Sequence, residues 1–278
     1  MRAGGAPHVI SKCLLLLLLV LSYIFLYLPL IHIALGSVAR NFTFPYPPIW
    51  SLGAIERLLA NSLYGQALGN SLILGAGTAV TATLLATMAA FGIIRGSGRH
   101  TATCLILFTA PLFVAEVTLG LSSLIFNALF LEVQGNLLSA ILANAVHCFS
   151  YAFLIVATQL YRYDWRLDEA ATVFGATPAR TFFEVTLPLV WPGLLSALLV
   201  AFIMAFNNLE ISFYLLGATP TLPSMAWGAL RYGVKPELYA LATAVNLVVL
   251  LALATMFILM RTGLVRFGYR PSQETNAI

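Results

Sequence analysis

The sequence predicts an all-α transmembrane protein with six spanning helices and with both termini on the cytoplasmic side. Of its 278 residues, 60% are hydrophobic and only 9% are charged, whereas a soluble domain carries about 25% charged residues. Several apolar runs reach the ~20 helical residues that are needed to cross a hydrocarbon layer of ~30 Å. A soluble helical core rarely repeats such runs, so we expect a membrane protein.

The candidate spans follow from the apolar runs in chain order. The first run, 13–35, comes after a few basic residues and so looks like a secretory signal. It is too long for a cleaved hydrophobic region and no small-residue cleavage site closes it, so we expect it to be retained. The proline-rich segment 44–48 cannot lie in lipid, because its backbone groups would stay unsatisfied. The remaining spans are predicted at 67–94, 102–126, 137–161, 188–212 and 238–260.

The distribution of Lys and Arg predicts the orientation, because cytoplasmic loops carry an excess of both. With a cytoplasmic N-terminus, that side holds ten of the 14 basic residues, namely Arg2, Lys12, Arg95, Arg99, Arg162, Arg166, Arg180, Arg261, Arg266 and Arg270. The other side holds four, namely Arg40, Arg57, Arg231 and Lys235. The net charge of +4 is therefore explained by topology, and no nucleic-acid partner is expected.

The cytoplasmic loop 162–187 is predicted to form two short helices. Asp168 suits the N-terminal cap of the first helix, and Gly175 suits a left-handed residue that ends it. Thr177 suits the cap of the second helix, with Pro178 at its first position. A loop that only joined two spans would need neither helix.

The same loop carries an expected ion pair and three aromatic residues. Glu184 lies one turn after Arg180, so the two side chains can pair on one helix face. Phe174, Phe182 and Phe183 are expected to be exposed. By pattern alone, the loop is either a docking element for another protein or a pair of helices resting on lipid head groups.

The loop resembles a known signature of permease subunits. The pattern Glu-Ala-Ala, three residues, Gly, nine residues, Val, one residue, Leu-Pro is similar to that of permeases of binding-protein-dependent ABC importers, with Val185 where the family usually has isoleucine. In this sequence the pattern falls on Glu169, Ala170, Ala171, Gly175, Val185, Leu187 and Pro188. The resemblance implies the type I (MetI-like) permease fold.

The resemblance also implies that the loop docks on a cytoplasmic ATPase. The residues implied in this coupling are Glu169, Ala170, Ala171, Phe174, Gly175 and Arg180. The chain has no phosphate-binding loop of its own, so ATP and Mg²⁺ are expected on a separate ATPase dimer. We therefore expect no enzyme activity, no catalytic residue and no cofactor in this chain.

The resemblance covers roughly 63–262 and is nearest to the spermidine/putrescine permeases, through segments 116–120 and 223–243. It divides the chain into an N-terminal helix and periplasmic segment (1–62), a permease core (63–262) and a cytoplasmic tail (263–278). It implies a multi-pass protein of the bacterial inner membrane. The implied partners are a second, homologous permease subunit, which favours a heterodimer, a periplasmic binding protein and membrane lipid.

Four polar residues inside or near spans are candidates for the substrate path. An ionisable group costs about 2.5–3.5 kcal/mol at the bilayer centre, so Glu116 and Glu210 are expected to face a cavity or a partner. Asn207 and Asn208 precede Glu210 and stand where polyamine permeases tend to have two aspartates. Alternatively, Glu116 pairs with His147 and Glu210 only reaches the interface.

Several alternatives stay open for the cargo and for the class of protein. Related permeases serve aminophosphonate, iron(III), thiamine or sulfate. An ion-coupled secondary transporter would need broken helices with polar centres, and a membrane enzyme would need converging nucleophiles or metal ligands. The scattered Cys13, Cys104 and Cys148 and the lone histidines His32 and His147 show no metal-ligand spacing, so we expect no metal site.

Overall fold

The computed structural model describes residues 6–39, 49–96, 101–132, 135–217, 219–232 and 236–261. Their regular secondary structure is helical, with one isolated bridge between Ala39 and Trp50. Short 3₁₀ or π segments extend three of the helices, at Ala110–Phe113, Asn127–Leu131 and Phe182–Thr186. The α-helices are α1 (Ala6–Ser37), α2 (Gly53–Ala60), α3 (Ser62–Arg95), α4 (Thr101–Thr109), α5 (Glu116–Phe126), α6 (Leu137–Tyr161), α7 (Arg166–Val173), α8 (Pro178–Thr181), α9 (Leu187–Phe206), α10 (Glu210–Leu216), α11 (Leu222–Tyr232) and α12 (Pro236–Arg261).

The chain divides into two compact units, and the smaller one contains α1, α2 and α12. In this unit α12 packs along α1 and α2. The ring of Tyr239 lies so close to Gly36 that an added Cβ would come within 3.0 Å of it. Arg57 of α2 pairs with the mostly buried Glu237 of α12. The side chains at positions 14–32 of α1 are exposed, as expected for an apolar helix that faces lipid or another subunit.

The larger unit contains α3 to α11, and its core is the packing of α3, α6 and α9. Lipid offers no hydrophobic driving force for helix association, so small side chains are needed to let helix backbones approach closely. The completely buried alanines of these three helices are Ala67, Ala82, Ala86 and Ala90 on α3, Ala140 and Ala152 on α6, and Ala197, Ala201 and Ala205 on α9. Phe153, Val156, Leu160 and Val190 fill the remaining space.

Four helices of the described chain are long and apolar enough to span a membrane: Leu14–Ser37, Ser62–Arg95, Leu137–Tyr161 and Pro178–Phe206. A bent pair, Thr101–Phe113 with Glu116–Leu131, makes a fifth if it counts as one span. The sixth predicted run, 238–260, lies within α12, but many side chains of that helix fall outside the description. The count of six spans and the cytoplasmic termini remain predictions, as do the segments 1–62, 63–262 and 263–278.

Two predicted spans are interrupted, which corrects the sequence-based boundaries. The third run, 102–126, bends by 94° at Val114 and Ala115, whose backbones are extended. Pro111 lies in the 3₁₀ turn just before the bend, where it replaces a helical N–H. The fifth run, 188–212, ends at Phe206, and a separate helix begins at Glu210.

Several sequence predictions fall on residues outside the description. They are the proline-rich segment 44–48, the tail 263–278, the side chain of Cys13 and the basic residues Arg2, Arg40, Arg99, Lys235, Arg266 and Arg270. Cys104 and Cys148 are free thiols, and Cys148 is buried. Among the described residues, no three His, Cys, Asp or Glu side chains come together as metal ligands.

Because the core is packed with small residues, the stability of the protein is expected to fall when one of them is enlarged. Ala152 is completely buried between α6 and its neighbours, so Ala152→Leu is expected to lower the free energy of unfolding by about 1–3 kcal/mol through overpacking. Leu154→Ala, at an exposed position of the same helix, is the matched control. Thermal unfolding of the detergent-purified protein measures both, and an unchanged midpoint for Ala152→Leu would contradict this packing.

Candidate functional site

The first candidate site lies where two interrupted helices meet. Glu116 is the first residue of α5, directly after the bend. Asn208 lies in the break between α9 and α10. Asn208 Nδ2 donates a hydrogen bond of 2.6 Å to Oε2 of Glu116, although the two residues are 92 positions apart. This bond joins the two breaks.

His147 completes the contact from the middle of α6. Its Nε2 lies 3.1 Å from Oε1 of Glu116, and its side chain is almost fully buried while one third of the Glu116 side chain is exposed. The ring also contacts Tyr151 edge-on. The pairing of Glu116 with His147, considered from the sequence, is therefore present. A carboxylate has about four lone-pair positions, so Glu116 keeps free acceptor capacity on its exposed side.

Asn208 also organises the helix that follows it. Its Oδ1 accepts hydrogen bonds from the backbone N–H groups of Ile211 and Ser212, at 3.0 and 3.4 Å. These N–H groups belong to the first turn of α10, which has no helical carbonyl to bond them. One amide side chain thus caps α10 with its oxygen and holds Glu116 with its nitrogen.

Close packing of α5 against α10 brings Glu210 to the same region. Gly120, one turn after Glu116, faces α10 so closely that a Cβ would lie 3.0 Å from Ile211 Cα and 3.3 Å from the carbonyl oxygen of Glu210. Glu210 is exposed and is the first residue of α10, so it lies on a separate helix and not on the continuous fifth helix that the sequence predicted. Asn207 is exposed and donates its amide N–H to Ile203. The four predicted path residues therefore cluster around the two helix breaks, and their contact with a substrate stays a prediction.

The second candidate site is the loop with the signature motif. Gly175 has φ +83°, so the left-handed helix end predicted there is confirmed. The Thr177 side chain accepts from the Arg180 N–H with Pro178 at the first helical position, as predicted. Arg180 Nε donates to Glu184 Oε2 at 2.9 Å, which confirms the expected pair.

An exposed apolar tip surrounds the motif. The Phe174 side chain is 90% exposed and Val173 is 85% exposed. Glu169, Ala170, Gly175 and Arg180 are exposed as well, and Ala171 is half-buried. Adjacent exposed apolar side chains are candidates for contact with another molecule, and the docking role of this loop stays a prediction.

Three details of the loop differ from the sequence predictions. The second helix is not separate, because α8 continues through the π segment into α9 as one run, Pro178–Phe206. Phe182 is half-buried and packs edge-on against Phe91, at 5.6 Å between ring centroids. Asp168 is not a cap, since α7 begins at Arg166 and Asp168 points inward with a 6% exposed side chain.

Asp168 joins two residues that sequence reasoning missed. Its Oδ1 accepts hydrogen bonds from the Tyr163 hydroxyl at 2.5 Å and from the Thr186 hydroxyl at 3.0 Å. Burial, and then the bond to Asp168, raise the pKa of Tyr163 above its ordinary value. No pattern in the sequence marks this cluster, because its members are polar residues from different segments.

The fold is shared with solved ABC transporters. The structure matches a chain of a bacterial alginate ABC transporter in complex with an alginate pentasaccharide-bound periplasmic protein, with a TM-score of 0.64 over 89% of this chain and 92% of that chain, at 17% identity. The protein thus has the fold of the membrane subunit of an ABC importer.

Sequence relatives identify the family. The putrescine transport system permease protein PotI of Escherichia coli is 31% identical over 83% of this chain and 84% of its own length. The spermidine/putrescine transport system permease protein PotC of Haemophilus influenzae is 28% identical over 84% and 91%. No family model matches the chain. The chain belongs to the family of ABC importer permease subunits that includes these two proteins.

The junction predicts that Asn208 cannot be replaced by an aspartate without loss. Asn208→Asp keeps the acceptor for α10 but removes the donor to Glu116 and places a second carboxylate beside it. We expect the substitution to lower the free energy of unfolding by about 1.5–3 kcal/mol, which is the contribution of a hydrogen bond to a charged group. Thermal unfolding of purified protein measures the loss, with Asn207→Asp as the matched control. Equal stability of the two variants would contradict the role assigned to Asn208.

Proposed function

We propose that this chain is one of two membrane subunits of an ATP-driven importer that carries a small polyamine cation, such as putrescine or spermidine, into a bacterial cell. The 31% identity to a putrescine permease over most of both chains is the observation that carries this proposal. The partners would be a homologous second permease, a cytoplasmic ATPase dimer and a periplasmic binding protein that delivers the cargo. The chain would cross the inner membrane six times with both termini in the cytoplasm.

The depth of the helix breaks supports a substrate path at the Glu116 junction. His147 lies ten residues after the start of α6 and fourteen before its end, so it sits about 15 Å from one end and 21 Å from the other at 1.5 Å per residue. Its contact with Glu116 therefore falls near the middle of the membrane. Irregular backbone at that depth is tolerated where it is buried in protein or lines a polar cavity, and interrupted helices often build transporter binding sites.

The chemistry of the junction suits an ammonium group. Glu116 and Glu210 are partly or fully exposed carboxylates, and the amide oxygen of the exposed Asn207 accepts no hydrogen bond from the part of the chain that the structure describes. Both polar atoms of the Asn208 side chain are already bonded, to Glu116 and to α10. We therefore propose that Asn208 positions Glu116 and does not contact the cargo. Two carboxylates can attract the separate charges of a diamine, which distinguishes this cargo from sulfate or a phosphonate.

The signature loop would couple the path to ATP hydrolysis. Glu169 and Ala170 are exposed on α7 and would offer a charge and a small side chain, the half-buried Ala171 would permit a close approach, and the exposed Phe174 would supply an apolar contact. ATP-driven closure of the ATPases would shift the permease between outward- and inward-facing states, which is a two-state equilibrium biased by a bound partner. An ion-coupled secondary transporter is the second candidate, since the structure does contain interrupted helices with polar residues.

Reconstitution separates these two candidates. In proteoliposomes that contain both permeases and the ATPase, labelled putrescine uptake is expected to require ATP and the loaded binding protein. Uptake that follows an ion gradient without ATP would overturn the importer proposal. Competition by spermidine but not by sulfate or an aminophosphonate would support the cargo assignment.

The loop proposal predicts loss of coupling in two variants. Glu169→Lys reverses a charge on the docking face, and Gly175→Pro imposes φ near −65° on a residue at +83°. Both are expected to abolish the stimulation of ATP hydrolysis by the loaded binding protein. Glu56→Lys, an exposed charge reversal on α2, is the control. Full stimulation in both loop variants would refute the proposed docking role.

The path proposal predicts a change in apparent affinity. Glu210→Gln removes an exposed charge that makes no ion pair within the described residues. We expect the KM for putrescine uptake to rise about two- to fivefold, the range for an exposed ion pair. The concentration dependence of uptake measures this change, with Glu56→Gln as the control. An unchanged KM in Glu210→Gln and in Glu116→Gln would contradict a carboxylate path.

A further inference from the structure

We propose that Tyr163, Asp168 and Thr186 form an internal anchor through which a movement of α7 is passed to the spanning helices α6 and α9. This inference rests on the proposed function, since it assumes that α7 docks on the ATPase. The three residues are called the Asp168 anchor below. Within it, Asp168 acts as a positioning residue, because it is buried and accepts hydrogen bonds from Tyr163 and Thr186.

The two hydroxyl partners of Asp168 lie at the ends of two different spanning helices. Tyr163 lies two residues after the end of α6, and Thr186 immediately precedes the first residue of α9. Both hydroxyl groups donate to Oδ1 of Asp168, which belongs to α7. One carboxylate oxygen therefore ties the docking helix to the cytoplasmic ends of two helices of the core. A shift of α7 has to move both helices or break these bonds.

Aromatic contacts connect the same region to a third helix. The Trp165 ring packs edge-on against Tyr163, at 5.0 Å between centroids, and against Phe91 of α3, at 6.4 Å. The Arg95 guanidinium, at the end of α3, lies 5.8 Å from the centre of the Trp165 ring. Close aromatic and cation–π contacts of this type add specific geometry to the packing. The start of α7 is thus linked to α3 through its N-cap residue Trp165, and Asp168 links the helix to Tyr163 and Thr186 at the ends of α6 and α9.

The two faces of α7 have different characters at adjacent positions. Asp168 is 6% exposed and points into the bundle, whereas Glu169 is exposed on the outer side. The helix is only eight residues long, Arg166–Val173, so it is expected to move as one rigid piece. A force applied to Glu169 and Phe174 reaches Asp168 within one or two turns.

Two further details set this anchor apart from ordinary core packing. Oδ2 of Asp168 is buried without a hydrogen-bond partner among the described residues, which is costly for a carboxylate that serves stability alone. The segment Phe182–Thr186 is a π-helix, a local irregularity that is frequent at functional sites. Thr186, its last residue, bonds to Asp168 and also lies 3.4 Å from the Thr181 carbonyl. The anchor thus meets the spanning helix where its hydrogen-bond pattern already changes.

The test uses near-isosteric variants in the complete complex of both permeases, the ATPase and the putrescine-loaded binding protein in proteoliposomes. Tyr163→Phe and Thr186→Val each remove one hydroxyl, and Asp168→Asn alters the acceptor. Substitution of a residue that connects two sites changes their coupling by about 2- to 30-fold. We therefore expect each variant to lower the ratio of stimulated to basal ATP hydrolysis by a factor of about 2 to 30. The amount of putrescine imported per ATP should fall as well, and Thr186→Ser should restore both.

Matched controls separate this inference from the proposed function. Thr158→Val removes an exposed hydroxyl from α6 that bonds to the Leu154 carbonyl of the same helix, and it is expected to leave both ratios unchanged. Wild-type ratios in Tyr163→Phe and Thr186→Val, with loss of stimulation in Glu169→Lys, would overturn the anchor alone. Full stimulation in Glu169→Lys would overturn the docking role itself. If uptake per assembled complex is the same in the variants as in the wild type, the anchor is also overturned, because the residues would then affect only folding or assembly.

Discussion

The hydrogen bond from Asn208 to Glu116 is the interaction on which the centre of the larger unit depends. It joins a break before α5 to a break after α9, and His147 of α6 holds the other carboxylate oxygen. Backbone that leaves the helical path inside an apolar layer loses internal hydrogen bonds, so it needs side chains that replace them. Asn208 does so for α10 and keeps Glu116 in place at the same time. This double use explains why an asparagine fits here, since an aspartate would keep the acceptor for α10 but lose the donor to Glu116.

The helices around this junction pack through small residues, which let the helix backbones come close together. The completely buried alanines of α3, α6 and α9 bring three helices together, and Gly120 does the same for α5 and α10. Close backbone approach leaves little freedom for one helix to slide along another. Changes of state are therefore expected at the breaks and at the helix ends beside the signature loop, where the helices are already interrupted.

Local signals in the sequence were sufficient for part of the structure. Gly175 and the Thr177-Pro178 pair act within one turn, so the helix end and helix start were predicted correctly. The break at Val114 and Ala115 is made of apolar residues, and an apolar run looks the same whether it is straight or bent by 94°. Asp168 was misassigned for a related reason. Its partners include Thr186, 18 residues away, and only the folded chain brings them together.

The continuity of α8, the π segment and α9 gives the permease a lever. The run Pro178–Phe206 has 29 residues and is about 43 Å long at 1.5 Å per residue. One end carries Arg180 at the exposed loop, and the other ends two residues before Asn208. A tilt of about 10° around one end displaces the other by about 7 Å at this length. If the signature loop docks as proposed, a small rotation at this end would be magnified at the depth of Glu116 without any helix having to stretch or unwind.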